Sequence, residues 1–465
     1  MIIRIVLAVI LAFTFEINSI CQNNISTEID KYIKQYLPSS SEVGIAIYNL
    51  SKDQLIYEHN ANKLARPAST LKLLTAITAL EYHVQPLETS LWYNGVIKEN
   101  VLYGDLYVVG GLNPEFGEVE LDEFISQIKK LSVSCIKGNI YGDISLKDSL
   151  YWGEGWAWDD NPSSYQPYIS PLTYNKGKVT IESRPYNPGQ KAQVIAKPKS
   201  SYYSIENKTV SKDPKAGKLE VTRNWLENQN NIMISGNVDR FRVKEVNVYN
   251  STNFFLHTFY EKMMQNGITI DGYYDVLEFE EGKETQLIYK NIITIPEIIK
   301  PMLKESDNLN AESLLINIGK LNKGKHISAK DGLTYVDSLV LKLGDNPCNY
   351  QIADGSGLSP YNLISANLLL NLLKYTYQKK SIFNVIYPSM PVAGIDGTLA
   401  YRMKNTSAYK KVKAKTGTIT AASSLAGFTE NSKGEIIAFA ILNQNILKSS
   451  QARRFQDVVC SLLSK

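Results

Sequence analysis

The apolar positions keep two different periods along the chain. Residues 43–59, VGIAIYNLSKDQLIYEH, predict two short strands around a polar turn at Ser51-Lys52-Asp53. Pro67 then opens a helical stretch in which Leu71, Leu74, Ile77 and Leu80 recur at helical spacing. Between about 89 and 285 the pattern breaks into short β-type runs punctuated by Gly, Pro and Asn, and a helix over 252–266 closes the region. From Ile295 onward long apolar helical runs return, at 296–306, 310–320 and 365–377. The chain finishes on three strand-like runs, 412–419, 424–430 and 436–444, and a helix near 450–463. No internal repeat or low-complexity tract is present.

At ~150 residues per domain, 465 residues amount to about three domains. Three domains in series would fit this layout, and so would one domain split by a long insertion. Both ends carry hairpin signals and neither forms a closed unit alone, which favours the split. The expectation is an α+β domain formed by 22–88 plus 286–465, around a β-rich insertion over 89–285 made of two nested subdomains. Before it, Arg4 precedes an apolar run from Ile5 to Phe15, shorter than the ~20 residues of a spanning helix. Ser19-Ile20-Cys21 follows with small side chains where a signal peptidase reads. Residues 1–21 are therefore expected to be a secretory signal and the protein to be exported and periplasmic. An uncleaved anchor or a buried helix is the alternative, and a lipid on Cys21 a lesser one. Removing that segment leaves Cys135, Cys348 and Cys460, which allows either one bridge and one thiol or three thiols.

Composition narrows the chemistry. Fifty Lys and Arg against 46 Asp and Glu give a formal charge of +4, with no concentrated basic patch to suggest a nucleic-acid partner. His59, His83, His257 and His326 lie far apart in the sequence, and the cysteines are scattered, so no sequence-local metal site and no cofactor are expected.

Three short motifs stand in order. Ser69-Thr70-Leu71-Lys72 is an S-x-x-K at a helix start, with Ser69 and Lys72 on one face. A serine hydroxyl is a weak nucleophile until a base takes its proton, and a lysine serves only when burial or positive charge lowers its pKa. The spacing alone is weak evidence, since it recurs at Ser126/Lys129, Ser134/Lys137 and Ser407/Lys410. Ser306-Asp307-Asn308 precedes a helix. It reads either as a proton relay with an amide clamp or as a plain helix cap. Lys415-Thr416-Gly417 is the only K-T-G. It sits on a strand, where Lys and Thr can hold a carboxylate and Gly lets a substrate backbone approach; a strand edge guarded by Lys is the bland reading.

The ordered set S-x-x-K, S-D-N, K-T-G belongs to penicillin-binding proteins and serine β-lactamases. Together with ADGSGLSPYN, GDLYVVGGLNPEF, GWAWDDNPSSYQPYISPLT and MPVAGIDGTLAYRM, it makes the chain resemble the D-alanyl-D-alanine carboxypeptidase/endopeptidase family of low-molecular-mass penicillin-binding proteins, peptidase family S13. The resemblance implies a penicillin-binding/β-lactamase-like transpeptidase domain: an antiparallel sheet flanked by helices, split by a large β-rich insertion. It implies a serine DD-peptidase acting on peptidoglycan stem peptides and acylated by β-lactams. Ser69 would be the nucleophile and Lys72 its base, with the N–H groups of Ser69 and Thr418 as oxyanion hole. Ser306 would relay a proton, and Asn308 would orient Lys72 and substrate. Lys415, Thr416 and Gly417 would receive the terminal carboxylate. Asp160 resembles an acidic residue that meets the amino group of the stem-peptide diamino acid, and equally reads as a loop Asp capping a turn. A serine β-lactamase and an idle wall-binding protein are the competing readings. The first is usually much shorter, and the intact Ser69/Lys72 pair speaks against the second.

Overall fold

The computed structural model describes residues 25–465, so the expected signal segment 1–21, with Cys21, lies outside the described residues. Two compact units are present. The first comprises the described residues up to Glu81, Ile299–Ser306 and Val336–Lys465; the second comprises Tyr82–Ile298 and Asp307–Tyr335. Compared with the expected bounds, the second unit takes in 82–88 and 286–298 and, less obviously, 307–335.

The first unit is an α+β structure built on a five-stranded antiparallel sheet. Its strands are β1 (Glu42–Asn49), β2 (Gln54–His59), β3 (Lys413–Ile419), β4 (Ala422–Glu430) and β5 (Ile436–Gln444), in the spatial order β3-β4-β5-β1-β2. A two-residue turn, Thr420-Ala421, joins β3 to β4, with Ala421 at a positive φ of 61°. Successive side chains alternate between the sheet faces. Val43, Ile45 and Ile47 of β1 meet Ile437, Phe439 and Ile441 of β5 on one face. The helix at 25–36 (α1) and the C-terminal helix Ser449–Leu463 close over that face through Ile29, Phe455 and Val459. The opposite face carries a row of small residues, Ala426, Ala440 and Ala46, paired across three strands. Helix Ala366–Gln378 lies on this side. Both faces are therefore covered, which is why β5 reads as a nearly continuous apolar run rather than an alternating one.

The second unit holds three sheets. One has seven strands of mixed direction, drawn from Leu87–Lys98, Val101–Val109 and Thr285–Ile293 with shorter pieces between. Two have three strands each and carry Lys178–Arg184 and Asn231–Val238 at their centres. Helices Glu118–Lys130 and Ser251–Gln265 supply Phe124, Phe254, Phe255 and Phe259 to its core. The helix expected at 252–266 is this last one.

Cys135, Cys348 and Cys460 are all free thiols, which resolves the open choice in favour of three thiols among the described residues. Cys460 is fully buried, and burial pushes its thiol pKa far up, so it is inert packing. Among the described residues no helix is long and apolar enough to cross a membrane.

Candidate active site

Ser69 sits in a single 3-10 turn, Ala68–Leu71, that runs directly into helix α2 (Lys72–Glu81). The residue before it, Ala68, holds a positive φ of 48°. An L-residue there costs about 1 kcal/mol or more and persists only where its surroundings impose it. Those surroundings are visible. The loop Asp354–Ser359 packs on the turn, and Gly357, at φ 78°, lies so close that a Cβ would come within 1.9 Å of the Ala68 carbonyl oxygen. Asp354 organises this loop by accepting from Gly357 N at 2.8 Å, Ser359 N at 2.7 Å and Asn362 Nδ2 at 2.8 Å. From the other side β3 presses in: a Cβ at Gly417 would stand 2.7 Å from Pro67 O and 2.9 Å from Ser69 N. The glycines of two distant segments thus hold one strained turn.

Lys72 has no exposed surface, whereas Ser69 is partly accessible. Lys72 Nζ lies 2.9 Å from Ser69 Oγ and donates to the carbonyl oxygen of Ser356 at 2.7 Å. The other lysine of the motif set, Lys415, is also fully buried on β3. Its Nζ donates to Ser306 Oγ at 2.8 Å and to Thr416 O at 2.8 Å. Burial, and then the charge of Lys72, push its pKa well below the ordinary lysine value; Glu305 opposes them weakly. Ser306, like Ala68, is a non-glycine residue held in the left-handed region, at a φ of 65°. Thr416 Oγ1 donates to Thr398 Oγ1 at 2.7 Å. Thr418, which pairs with Ser423, is exposed on the same edge strand. The first unit therefore brings Ser69, Lys72, Ser306 and Lys415–Thr418 together, in spite of separations of hundreds of residues in the chain.

Asn308 and Asp160 belong to the second unit. Asn308 begins helix Asn308–Gly319, which Asp307 caps by accepting from Asn310 N at 3.0 Å. Its Nδ2 donates to the carbonyl oxygen of Tyr165 at 2.6 Å. The hydroxyl of the same tyrosine donates to Asp160 Oδ1 at 2.8 Å. Tyr165 is thus a common partner of both residues. Beneath Asn308, Lys176 Nζ donates to Asp307 Oδ2 at 2.8 Å, to Glu115 Oε1 at 2.7 Å and to Asn310 Oδ1 at 3.2 Å. Burial raises the Asp307 pKa, but the Lys176 ammonium outweighs it and the net shift is downward.

In the sequence no motif marks Tyr165 or Lys176, and Asp354-Gly355-Ser356-Gly357 reads as a Gly-rich turn that shapes the site rather than one that does chemistry. Ser356 acts through its backbone carbonyl, which no side-chain motif reports, though its Gly-rich setting marks a close approach. Lys176 looks like any loop lysine until its two carboxylate partners are in place. Among the described residues no group of three or more His, Cys, Asp or Glu could hold a metal ion.

Comparison with known proteins places this geometry. The chain is 28% identical over 444 residues to the D-alanyl-D-alanine carboxypeptidase DacB of Haemophilus influenzae, covering 92% of this chain and 90% of the relative. It is 27% identical over 439 residues to the D-alanyl-D-alanine carboxypeptidase of Actinomadura sp. strain R39, covering 90% and 80%. The solved structure of penicillin-binding protein 4 (DacB) from H. influenzae superimposes with a TM-score of 0.81 at 25% identity, over 94% of this chain and 99% of that one. The same protein in complex with a β-lactam gives a TM-score of 0.74 over the same shares. A family model, the D-Ala-D-Ala carboxypeptidase 3 (S13) family, matches residues 25–465, and the chain belongs to that family of peptidases.

Proposed function

We propose that this peptidase is a serine DD-peptidase that cleaves the D-Ala-D-Ala amide of peptidoglycan stem peptides through an acyl-enzyme on Ser69. The observation that carries the reading is the fully buried Lys72 amine 2.9 Å from a partly accessible Ser69 hydroxyl. That is hydrogen-bond reach for a base and its nucleophile.

For Lys72 to accept the Ser69 proton it must be neutral. A substrate carboxylate arriving at Lys415 and Thr416 favours the charged form of Lys415. Two ammonium groups in one buried site repel, so charging Lys415 drives the proton off Lys72. Ser69 Oγ then attacks the carbonyl carbon as its proton passes to Lys72 Nζ. The tetrahedral oxyanion is assigned to the N–H groups of Ser69 and Thr418. The C–N bond breaks, and the departing D-Ala amine takes a proton through Ser306. Water then attacks the ester and frees Ser69. Asn308, two residues on from Ser306 in the chain, is assigned to orient Lys72 and the substrate amide. Asp160 is assigned to the amino group of the diamino acid. A β-lactam presents a comparable amide and is expected to acylate the same serine, in line with the β-lactam complex of the H. influenzae relative. Such a substrate places the enzyme outside the cytoplasm, in line with the signal expected over 1–21.

The test is incubation with purified monomeric and cross-linked muropeptides, with mass analysis of products. Release of terminal D-Ala, or cleavage at the cross-link, is expected from wild type and not from Ser69→Ala or Lys72→Ala. Wild-type rates in Lys72→Ala would remove Lys72 from the role of base.

A further inference from the structure

Five tryptophans occur in the chain, and four of them line one cavity of about 350 Å³ in the second unit. Trp152, Trp156, Trp158 and Trp225 form its aromatic wall, and Gln166 and Asn228 contribute amides. The rings of Trp158 and Trp225 lie 5.3 Å apart at 39°, which leaves them splayed rather than stacked. Trp158 is 71% exposed and Trp152 45%. Large apolar side chains grouped at a surface mark a binding site more often than an accident of packing. No charged residue lines the cavity. A charged ligand would lose its hydration there without gaining a counter-ion.

The amides sharpen this picture. Gln166 is only 4% exposed, and its Nε2 donates to Ala157 O at 3.0 Å, which fixes the orientation of the group. Its Oε1 is buried and has no hydrogen-bond partner among the described residues. A buried carbonyl oxygen left unpaired is destabilising, and a ligand O–H or N–H relieves it. The floor is rigid. Buried Arg223 donates to Asn161 Oδ1 at 3.0 Å and to Asn247 O at 3.1 Å, tying the Trp158 segment to the strand that leads into Trp225.

We propose that this pocket binds a neutral, N-acetylated pyranose ring, as found in the glycan strand that bears the stem peptides. The C–H face of a pyranose is apolar with slightly positive hydrogens, and it matches the negative face of an indole. Hydroxyl and acetamide N–H groups supply the donors that Gln166 lacks. The segment carrying three of these tryptophans, Trp152, Trp156 and Trp158, also carries Asp160 and Tyr165, so one stretch of chain serves both the sugar and the peptide end of a muropeptide. That the ring belongs to a peptidoglycan strand rests on the peptidase reading above; that the pocket takes an N-acetylated sugar does not.

Intrinsic tryptophan fluorescence of the full chain provides the test, titrated with β-1,4-linked N-acetylglucosamine oligomers, with cellobiose oligomers lacking the acetamide, and with a free stem pentapeptide. A saturable change with the N-acetylated oligomer is expected, weakened about tenfold in Trp225→Ala and largely restored in Trp225→Phe. The ratio of KM for a disaccharide-pentapeptide to KM for the free pentapeptide should rise by a similar factor in Trp225→Ala. No saturable response from wild type, an equal response to cellobiose oligomers, or an unchanged response in Trp225→Ala overturns the proposal. Binding of the N-acetylated oligomer without cleavage of either peptide substrate would leave the pocket standing and sink the peptidase reading instead.

Discussion

Lys72 and Lys415 are two amines buried in one small volume, and their chemistry follows from that. Because Lys415 titrates far below an ordinary lysine, the folded state binds fewer protons than the unfolded state between that lowered value and about 10.4. Stability therefore rises with pH across this window and levels off above it. Lys415→Met lacks the term, so the difference in melting temperature, wild type minus variant, is expected to grow as pH is raised through the window. A constant difference would show that Lys415 is not depressed. Lys176 illustrates the opposite case, a charge kept by its partners. With 21% of its side chain exposed against 17% for Asp307, the pair is largely but not wholly desolvated. Lys176→Met strands the Asp307 and Glu115 carboxylates and is expected to cost about 2–3 kcal/mol, below the full value for a wholly buried pair. Chemical denaturation measures it. A loss under about 0.5 kcal/mol would place Lys176 among ordinary surface lysines. The motif residues were legible in the sequence because spacing and order made three weak signals specific. Lys176 was not, since its importance lies in partners brought from 61 and 131 residues away.

At the level of elements, the candidate site is a turn gripped from two sides. The helical period after Pro67 correctly indicated a helix start, but Ser69 lies in a 3-10 turn ahead of α2 rather than in its first α-helical turn. The reason is the left-handed Ala68, which a sequence pattern does not register because any Ala suits a helix. The five-stranded sheet was readable from its apolar runs. Its order, with the first two strands beside the last, was not, because pairing over nearly 400 residues leaves no local trace. Gly357 gives the sharpest prediction here. Gly357→Ala adds a methyl that overlaps the Ala68 carbonyl and forces a β-carbon into φ 78°. It is expected to reduce the rate of penicillin acylation by about a hundredfold, roughly 2.7 kcal/mol, by displacing Ser69. Stopped-flow acylation checks this. A wild-type rate in a folded variant would mean the loop does not position the nucleophile.

For the whole molecule, one unit joins the described residues up to Glu81 with Ile299–Ser306 and Val336–Lys465, so Ser69, Lys72, Ser306 and Lys415 share it while Asn308 belongs to the other. The finer division was not legible. The crossings after Ile298 and Tyr335 fall inside continuous helices, Ile295–Lys304 and Ala329–Lys342, where no linker composition marks them. A third crossing splits the S-D-N motif itself, between Ser306 and Asp307. The tryptophans of the middle region were conspicuous in the sequence, but only folding gathered four of them around one cavity. The central claim remains chemical: a covalent bond to one serine. The most direct measurement is intact-protein mass spectrometry after exposure to benzylpenicillin, followed by peptide mapping. A single long-lived adduct on Ser69 is predicted, absent from Ser69→Ala. An adduct on another residue, equal labelling of Ser69→Ala, or no adduct on wild type would contradict the account.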